Sequence, residues 1–89
     1  MPSNVKREPL RKTLKSTDDP RLENLTPLGG GDGFTTFTAE FRGKPALVVD
    51  GSAMNEPLPE DERNKEPVSV FSFETVAERE EFVAKQMGT

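Results

Sequence analysis

The stretch "FTTFTAEFRGKPALVVD", residues 34–50, carries the strongest structural signal in the chain. Apolar and polar side chains alternate strictly over residues 37–41, and this pattern indicates a β-strand with one buried side. The tripeptide Arg-Gly-Lys at 42–44 predicts a turn, and Pro45 suits the entry of a second strand, where no ladder hydrogen bond is needed. The dense apolar run that follows completes a predicted β-hairpin.

Two further signals extend the hairpin towards the C-terminus. The segment "VSVFSFE", residues 68–74, predicts a third strand. After it, Thr75 and Glu78 have the spacing of a capping box and predict a C-terminal helix. The predicted core consists of Phe37, Phe41, Phe71, Phe73 and Phe82. The predicted fold is α+β, with a small three-stranded antiparallel sheet (hairpin plus third strand), one C-terminal helix and an extended N-terminal arm.

Charge divides the chain into two parts. Residues 1–22 carry six basic and three acidic residues, a net charge of +3, whereas residues 23–89 carry six basic and thirteen acidic residues. All six Phe lie after residue 33. These asymmetries predict a flexible basic N-terminal arm over residues 1–30 and a β-β-β-α body over 31–89. A mobile, acidic, proline-rich loop is predicted at 55–67, and the glycine-rich stretch at 28–34 is interpreted as a flexible joint between arm and body.

The arm has local patterns that predict contact with a partner. Leu10 and Leu14 are four residues apart, as are the basic Arg11 and Lys15, and this spacing predicts a short helical piece. A second such piece is predicted after the possible N-caps at residues 18–19. The candidate partner-binding residues are Arg7, Leu10, Arg11, Lys12, Leu14, Lys15, Leu22 and Leu25.

The composition argues against several classes of function. The chain has no Cys and no His, so the commonest metal ligands and the usual neutral-pH general base are missing. We therefore expect no enzyme activity, no catalytic or metal site, no cofactor and no small-molecule substrate. The basic arm has no aromatic residue to stack on bases, so specific nucleic-acid binding is not expected. No apolar run approaches the ~18 residues that span a bilayer, and no signal peptide is recognised. A cytoplasmic or virion-associated location is expected.

A small core favours association with other proteins. Without the arm and the loop, about 40 residues remain, and domains that small usually depend on disulfides, metals or association. The sequence therefore predicts a non-catalytic structural or accessory protein that docks through its arm on a larger protein assembly or on further copies of itself, as proteins that decorate a virion do. The alternative is a small acidic inhibitor or regulator of a nucleic-acid-handling machine, acting through carboxylates at 56–66 and 74–81.

Overall fold

A computed structural model of the chain describes residues 9–87. Its elements in chain order are strands β1 (Leu10–Leu14), β2 (Leu22–Gly31), β3 (Phe34–Phe41) and β4 (Lys44–Asp50), two 3₁₀ turns (Ser52–Asn55 and Glu60–Glu62), strand β5 (Val68–Ser72) and helix α1 (Val76–Met87). The five strands form one antiparallel sheet in the order β1-β5-β4-β3-β2. This architecture is compatible with the predicted α+β class.

The prediction of a three-stranded sheet is wrong, because the sheet has five strands. The two additional strands come from the N-terminal third of the chain. Residues 10–14 and 22–30, which are predicted above as parts of the arm, form β1 and all but the last residue of β2, and these strands occupy the two ends of the strand order. The glycines at 29–31, interpreted above as part of a joint, pair with residues 34–36 of β3.

The spacing that predicts a helix at residues 10–14 fits a strand equally well. Leu10 and Leu14 are four residues apart, and positions i and i+4 share a side in a helix and also in a strand. In the structure they lie opposite Ser72 and Val68 of β5. Leu14 thereby reaches the core at 3% exposure, whereas Leu10 remains 66% exposed.

A β-bulge explains the second misleading spacing. Leu22 and Leu25 are three residues apart, which would place them on opposite sides of a regular strand. In β2, however, the pairing with β3 shifts between Glu23 and Thr26, and Asn24 adopts a φ of 55°. The extra residue restores both leucines to the same side, where they pack against the core. Asn is one of the few residues that tolerate this left-handed conformation.

The side of the sheet that faces away from helix α1 holds the main buried cluster. Its buried residues are Leu14, Ala39, Phe41, Ala46, Val48, Val68 and Val70, with Leu22, Leu25 and Phe37 packed against them. These side chains come from all five strands, including both ends of the strand order. Helix α1 packs on the other side, so we infer that the sheet curls and buries these residues against one another.

Helix α1 covers the second side of the sheet. The Phe82 ring lies 5.6 Å from the Phe71 ring and 5.3 Å from the Phe73 ring, measured between centroids. The Thr75 hydroxyl accepts a hydrogen bond from the Glu78 backbone N–H, as the capping box predicts. The predicted phenylalanine core is thus divided between the two sides, because Phe37 and Phe41 face the curled interior.

The acidic loop at 55–67 is closed by side-chain hydrogen bonds. The Asn55 amide donates to the Asn64 carbonyl, and its side-chain oxygen accepts from the Asn64 N–H, both at 2.9 Å. The Arg63 guanidinium donates to the carbonyl oxygens of Leu58 and Glu56. The predicted mobility of this loop remains a prediction.

The turn between β3 and β4 offers a test of backbone strain. Arg42 and Gly43 both have positive φ, at 55° and 82°, as a two-residue turn of type I′ requires. Asn is better suited than Arg to this conformation, so Arg42→Asn should raise the free energy of unfolding by about 0.5–1 kcal/mol. Urea unfolding of Arg42→Asn and of the control Arg42→Ala will check this. If both variants have the same stability, relief of strain is not the cause.

Candidate protein-binding surface

Strand β1 lies at one end of the sheet and pairs along one side only. Its five residues pair in continuous register with β5, from Leu10 opposite Ser72 to Leu14 opposite Val68. Among residues 9–87, no second strand pairs with β1. We call the solvent-facing side of this strand, with Leu10, Arg11, Lys12 and the adjoining Lys15, the β1 edge.

The two basic residues of the strand point to opposite sides of the sheet. Lys12 lies opposite Val70 and shares the core side with Leu10 and Leu14. Arg11 lies on the helix side, where its guanidinium donates a weak hydrogen bond of 3.4 Å to the Ser69 hydroxyl. Both side chains are exposed. The β1 edge therefore presents positive charge above and below the plane of the sheet.

The structure separates the predicted partner-binding residues into two groups. Leu10, Arg11, Lys12 and Lys15 are exposed and lie together at the β1 edge, whereas Leu14, Leu22 and Leu25 pack in or against the core. Arg7 lies outside the described residues. The three core leucines are thus engaged within the fold, and only the exposed group is open to a partner in this conformation.

Ser69 of β5 and Glu66, just before β5, adjoin this surface, and the sequence did not predict their contacts with β1. Ser69 contacts Arg11, and the Glu66 carboxylate accepts a 2.6 Å hydrogen bond from the Thr13 hydroxyl. These contacts join residues more than 50 positions apart in the chain. No local pattern marks Ser69 or Glu66, because their role depends on the pairing of β1 with β5.

A cleft of about 260 Å³ lies where the chain leaves β1 for β2. Its lining residues are Thr13, Leu14, Lys15, Ser16, Asp18, Asp19, Arg21 and Glu66. Three acidic side chains outnumber two basic ones, and the guanidinium of Arg21 is already paired with the Asp19 carboxylate at 2.7 Å and 2.9 Å. The cleft therefore lacks the excess positive charge that would hold an anion.

Arg21 controls the ionisation of Asp19. Hydrogen bonds from the guanidinium and the backbone N–H of Arg21, with smaller contributions from the charges of Arg21 and Arg42, lower the pKa of Asp19 from its usual 3.8 to about 2, and desolvation opposes them only in part. Because the folded pKa is depressed, the stabilising effect of this pair is present above about pH 4 and is lost as the pH falls towards 2.

We therefore predict the outcome of a carboxyl titration followed by NMR. In the wild type, Asp19 should titrate with a pKa of about 2. In Arg21→Gln, its pKa should return towards 3.8, because the charged donor is removed. Arg42→Gln is the control and should change the pKa less. An unchanged pKa in Arg21→Gln would contradict this assignment.

Exposed apolar side chains lie at the far end of the β2–β3 hairpin. Phe34 is 39% exposed and its ring lies over Gly31, while the Met54 side chain lies over Gly33. A methyl group on either glycine would come within 3.0 Å of these side chains, so the glycines permit close packing at this end. Sequence reasoning did not single out Met54 as a surface residue.

Other kinds of site find no support among residues 9–87. These residues contain no group of three or more acidic, His or Cys side chains placed to hold a metal ion. In the same part of the chain, no helix has the length and apolar character needed to cross a membrane. No protein-family model, curated protein or solved structure matches this chain.

Proposed function

We propose that this protein is a non-catalytic accessory protein that docks on a larger protein assembly through the β1 edge. The observation that supports the proposal is the exposure of Leu10, Arg11, Lys12 and the adjoining Lys15 together along an edge strand, which is paired with β5 on one side only among residues 9–87. An exposed leucine beside three cations offers an apolar anchor and electrostatic steering to one partner. The rest of the chain is acidic, so this surface differs in charge from the remainder of the molecule.

The chemistry of the β1 edge favours a protein partner with an acidic surface. Specific binding of single-stranded nucleic acid uses aromatic side chains for stacking, and strand β1 has none. Three cations on the described edge would neutralise only a few phosphates. Carboxylates on a protein surface can form charge-assisted hydrogen bonds with these three cations.

An acidic regulator of a nucleic-acid-handling machine is the second candidate. It is favoured by the exposure of seven carboxylates in the second 3₁₀ turn, just before α1 and in the first half of α1, namely Glu60, Asp61, Glu62, Glu74, Glu78, Glu80 and Glu81. Such a surface could occupy a basic channel. In this case the acidic side chains, and not the β1 edge, would make the contacts.

A matched pair of charge reversals distinguishes the two candidates. Arg11→Glu with Lys12→Glu changes the β1 edge, and Lys44→Glu with Lys65→Glu makes the same change in net charge at exposed positions elsewhere. The complex that the wild type forms in its native cells should be measured for each variant by affinity purification and quantitative mass spectrometry.

The two candidate functions predict different results. If the β1 edge docks on an acidic partner, only the first variant should lose the complex, by about tenfold or more. If the acidic surface binds a basic channel, neither reversal should weaken binding, since both make the protein more negative. Equal loss in both variants would contradict docking through the β1 edge.

A further inference from the structure

We infer that the β1 edge binds its partner by strand addition, with an extended acidic segment of the partner pairing as a sixth strand beside β1. The inference rests on the proposed function and specifies how docking occurs and what chemistry the partner has. It depends on the regular backbone of β1, on the irregular pairing of β2 at the other end of the sheet, and on the exposed cations and leucine of β1.

The backbone of β1 is suited to accept another strand. In an antiparallel pair, successive residues alternately direct their N–H and C=O groups towards the partner strand and away from it. β1 pairs with β5 in continuous register over Leu10–Leu14, so its outward groups form a regular row. Among residues 9–87 no strand takes these groups, and such a row is a template for an incoming strand.

The opposite end of the sheet lacks this regularity. β2 has two shifts in its pairing with β3, one between Glu23 and Thr26 and one between Pro27 and Gly29. Pro27 has no N–H to donate, and bulges twist an edge away from a partner. Strand β1 has neither a proline nor a bulge. Of the two ends, β1 is therefore the one that can receive a strand.

The charges of β1 select the kind of strand that can bind. Arg11 and Lys12 point to opposite sides of the sheet, so an added strand meets a positive charge on each side. Pairing of β1 with β1 of a second copy would oppose like charges, which is destabilising. Acidic residues at two successive positions of the partner would satisfy both cations. The expected partner is therefore an acidic segment, and pairing with a second copy of β1 is disfavoured.

Leu10 adds a requirement for an apolar residue. It is 66% exposed on the same side of the sheet as Lys12. In a paired strand the directly opposite side chains lie about 4.5–5.5 Å apart, so an apolar residue opposite Leu10 would cover it. The expected partner segment therefore has one apolar residue next to two successive acidic residues.

The test is an NMR titration of the full chain with synthetic capped peptides. The probe is an extended peptide with the core sequence Thr-Val-Glu-Glu-Val-Thr. Two further peptides have the same side chains but carry N-methyl groups on one or the other alternate set of backbone amides. A fourth peptide replaces both Glu with Lys. All four should be titrated at the same ionic strength.

Strand addition predicts a specific pattern of results. The unmodified peptide should shift the amide resonances of β1 more than those of β2. Methylation of one alternate set should weaken binding about tenfold or more, because those N–H groups would donate to β1, whereas methylation of the other set should have little effect. The Lys peptide should not bind.

Three results would overturn the inference. If both methylated peptides bind as well as the unmodified one, docking is by charge alone, and the proposed function stands without strand addition. If the shifts fall on β2, the wrong edge has been chosen. If no peptide binds while the Arg11→Glu, Lys12→Glu variant loses its cellular complex, docking uses the β1 edge in another way.

Discussion

Leu14→Ala should lower the free energy of unfolding by about 2–5 kcal/mol. Leu14 is 3% exposed and belongs to the buried cluster on the curled side of the sheet. Truncation removes its buried methyl groups and leaves a cavity, and both effects destabilise the folded state. Small domains have a total stability of only about 5–15 kcal/mol, so the loss should be evident in urea or thermal unfolding.

Leu10→Ala is the matched control for this prediction. Both leucines belong to β1 and point to the same side, but Leu10 is 66% exposed. Its replacement should change the free energy of unfolding by less than about 0.5 kcal/mol. If β1 were a flexible arm, the two variants would have the same stability. Equal effects would therefore contradict the five-stranded sheet.

Phe73→Ala should lower the free energy of unfolding by about 3–5 kcal/mol. This loss is large enough to unfold a small domain at ordinary temperature. Phe73 is 7% exposed and its ring packs against Phe82 beneath helix α1. Its backbone N–H also donates to the Pro45 carbonyl at 2.8 Å, which fixes the chain as it leaves β5. The substitution retains this hydrogen bond and removes the ring, so the decrease in the free energy of unfolding measures the packing of the helix on the sheet.

Phe34→Ala is the control for the helix–sheet interface. Phe34 is 39% exposed and lies at the far end of the β2–β3 hairpin. Its truncation should lower the free energy of unfolding by about 1 kcal/mol, because the Phe34 side chain buries less apolar area than that of Phe73. Circular dichroism during thermal unfolding will rank the two variants. If Phe34→Ala is as destabilising as Phe73→Ala, helix α1 does not pack as described.

Strands β3, β4 and β5 and helix α1 were predictable because their signals are local. Strand β3 follows strict alternation, the turn at Arg42-Gly43 lies between paired strands, and the capping hydrogen bond of Thr75 forms as its spacing predicts. Each signal depends on residues within a few positions of one another. Such patterns are read directly from the order of side chains.

The N-terminal strands could not be predicted in the same way. The spacing of Leu10 and Leu14 fits both a helix and a strand, and the bulge at Asn24 disguises the period of β2. The deciding interactions are the pairings themselves, and β1 pairs with a strand almost 60 residues later. The local pattern of residues 10–14 is compatible with a helix and with a strand, and pairing with the distant β5 selects the strand.

The candidate site, too, was predictable where its features are local and not where they depend on distant pairing. The basic row and the spacing of Leu10 and Leu14 were evident from the sequence, because charge and spacing are local properties. The division between exposed and buried leucines was not, since it depends on which strand covers each side chain. Leu14 was predicted as a partner contact but lies in the core. The sequence thus grouped the residues of the β1 edge but did not reveal that Leu14, Leu22 and Leu25 pack within the fold.

Cross-strand nuclear Overhauser effects between residues 10–14 and 68–72 in a verified monomer test the central claim most directly. The claim is that β1 is an edge strand of the sheet, held by β5 and open on its other side. The structure predicts close contacts between the backbones of Leu10 and Ser72 and of Leu14 and Val68. Absence of these contacts, with rapidly exchanging amides throughout residues 10–14, would contradict the fold and the docking surface built on it.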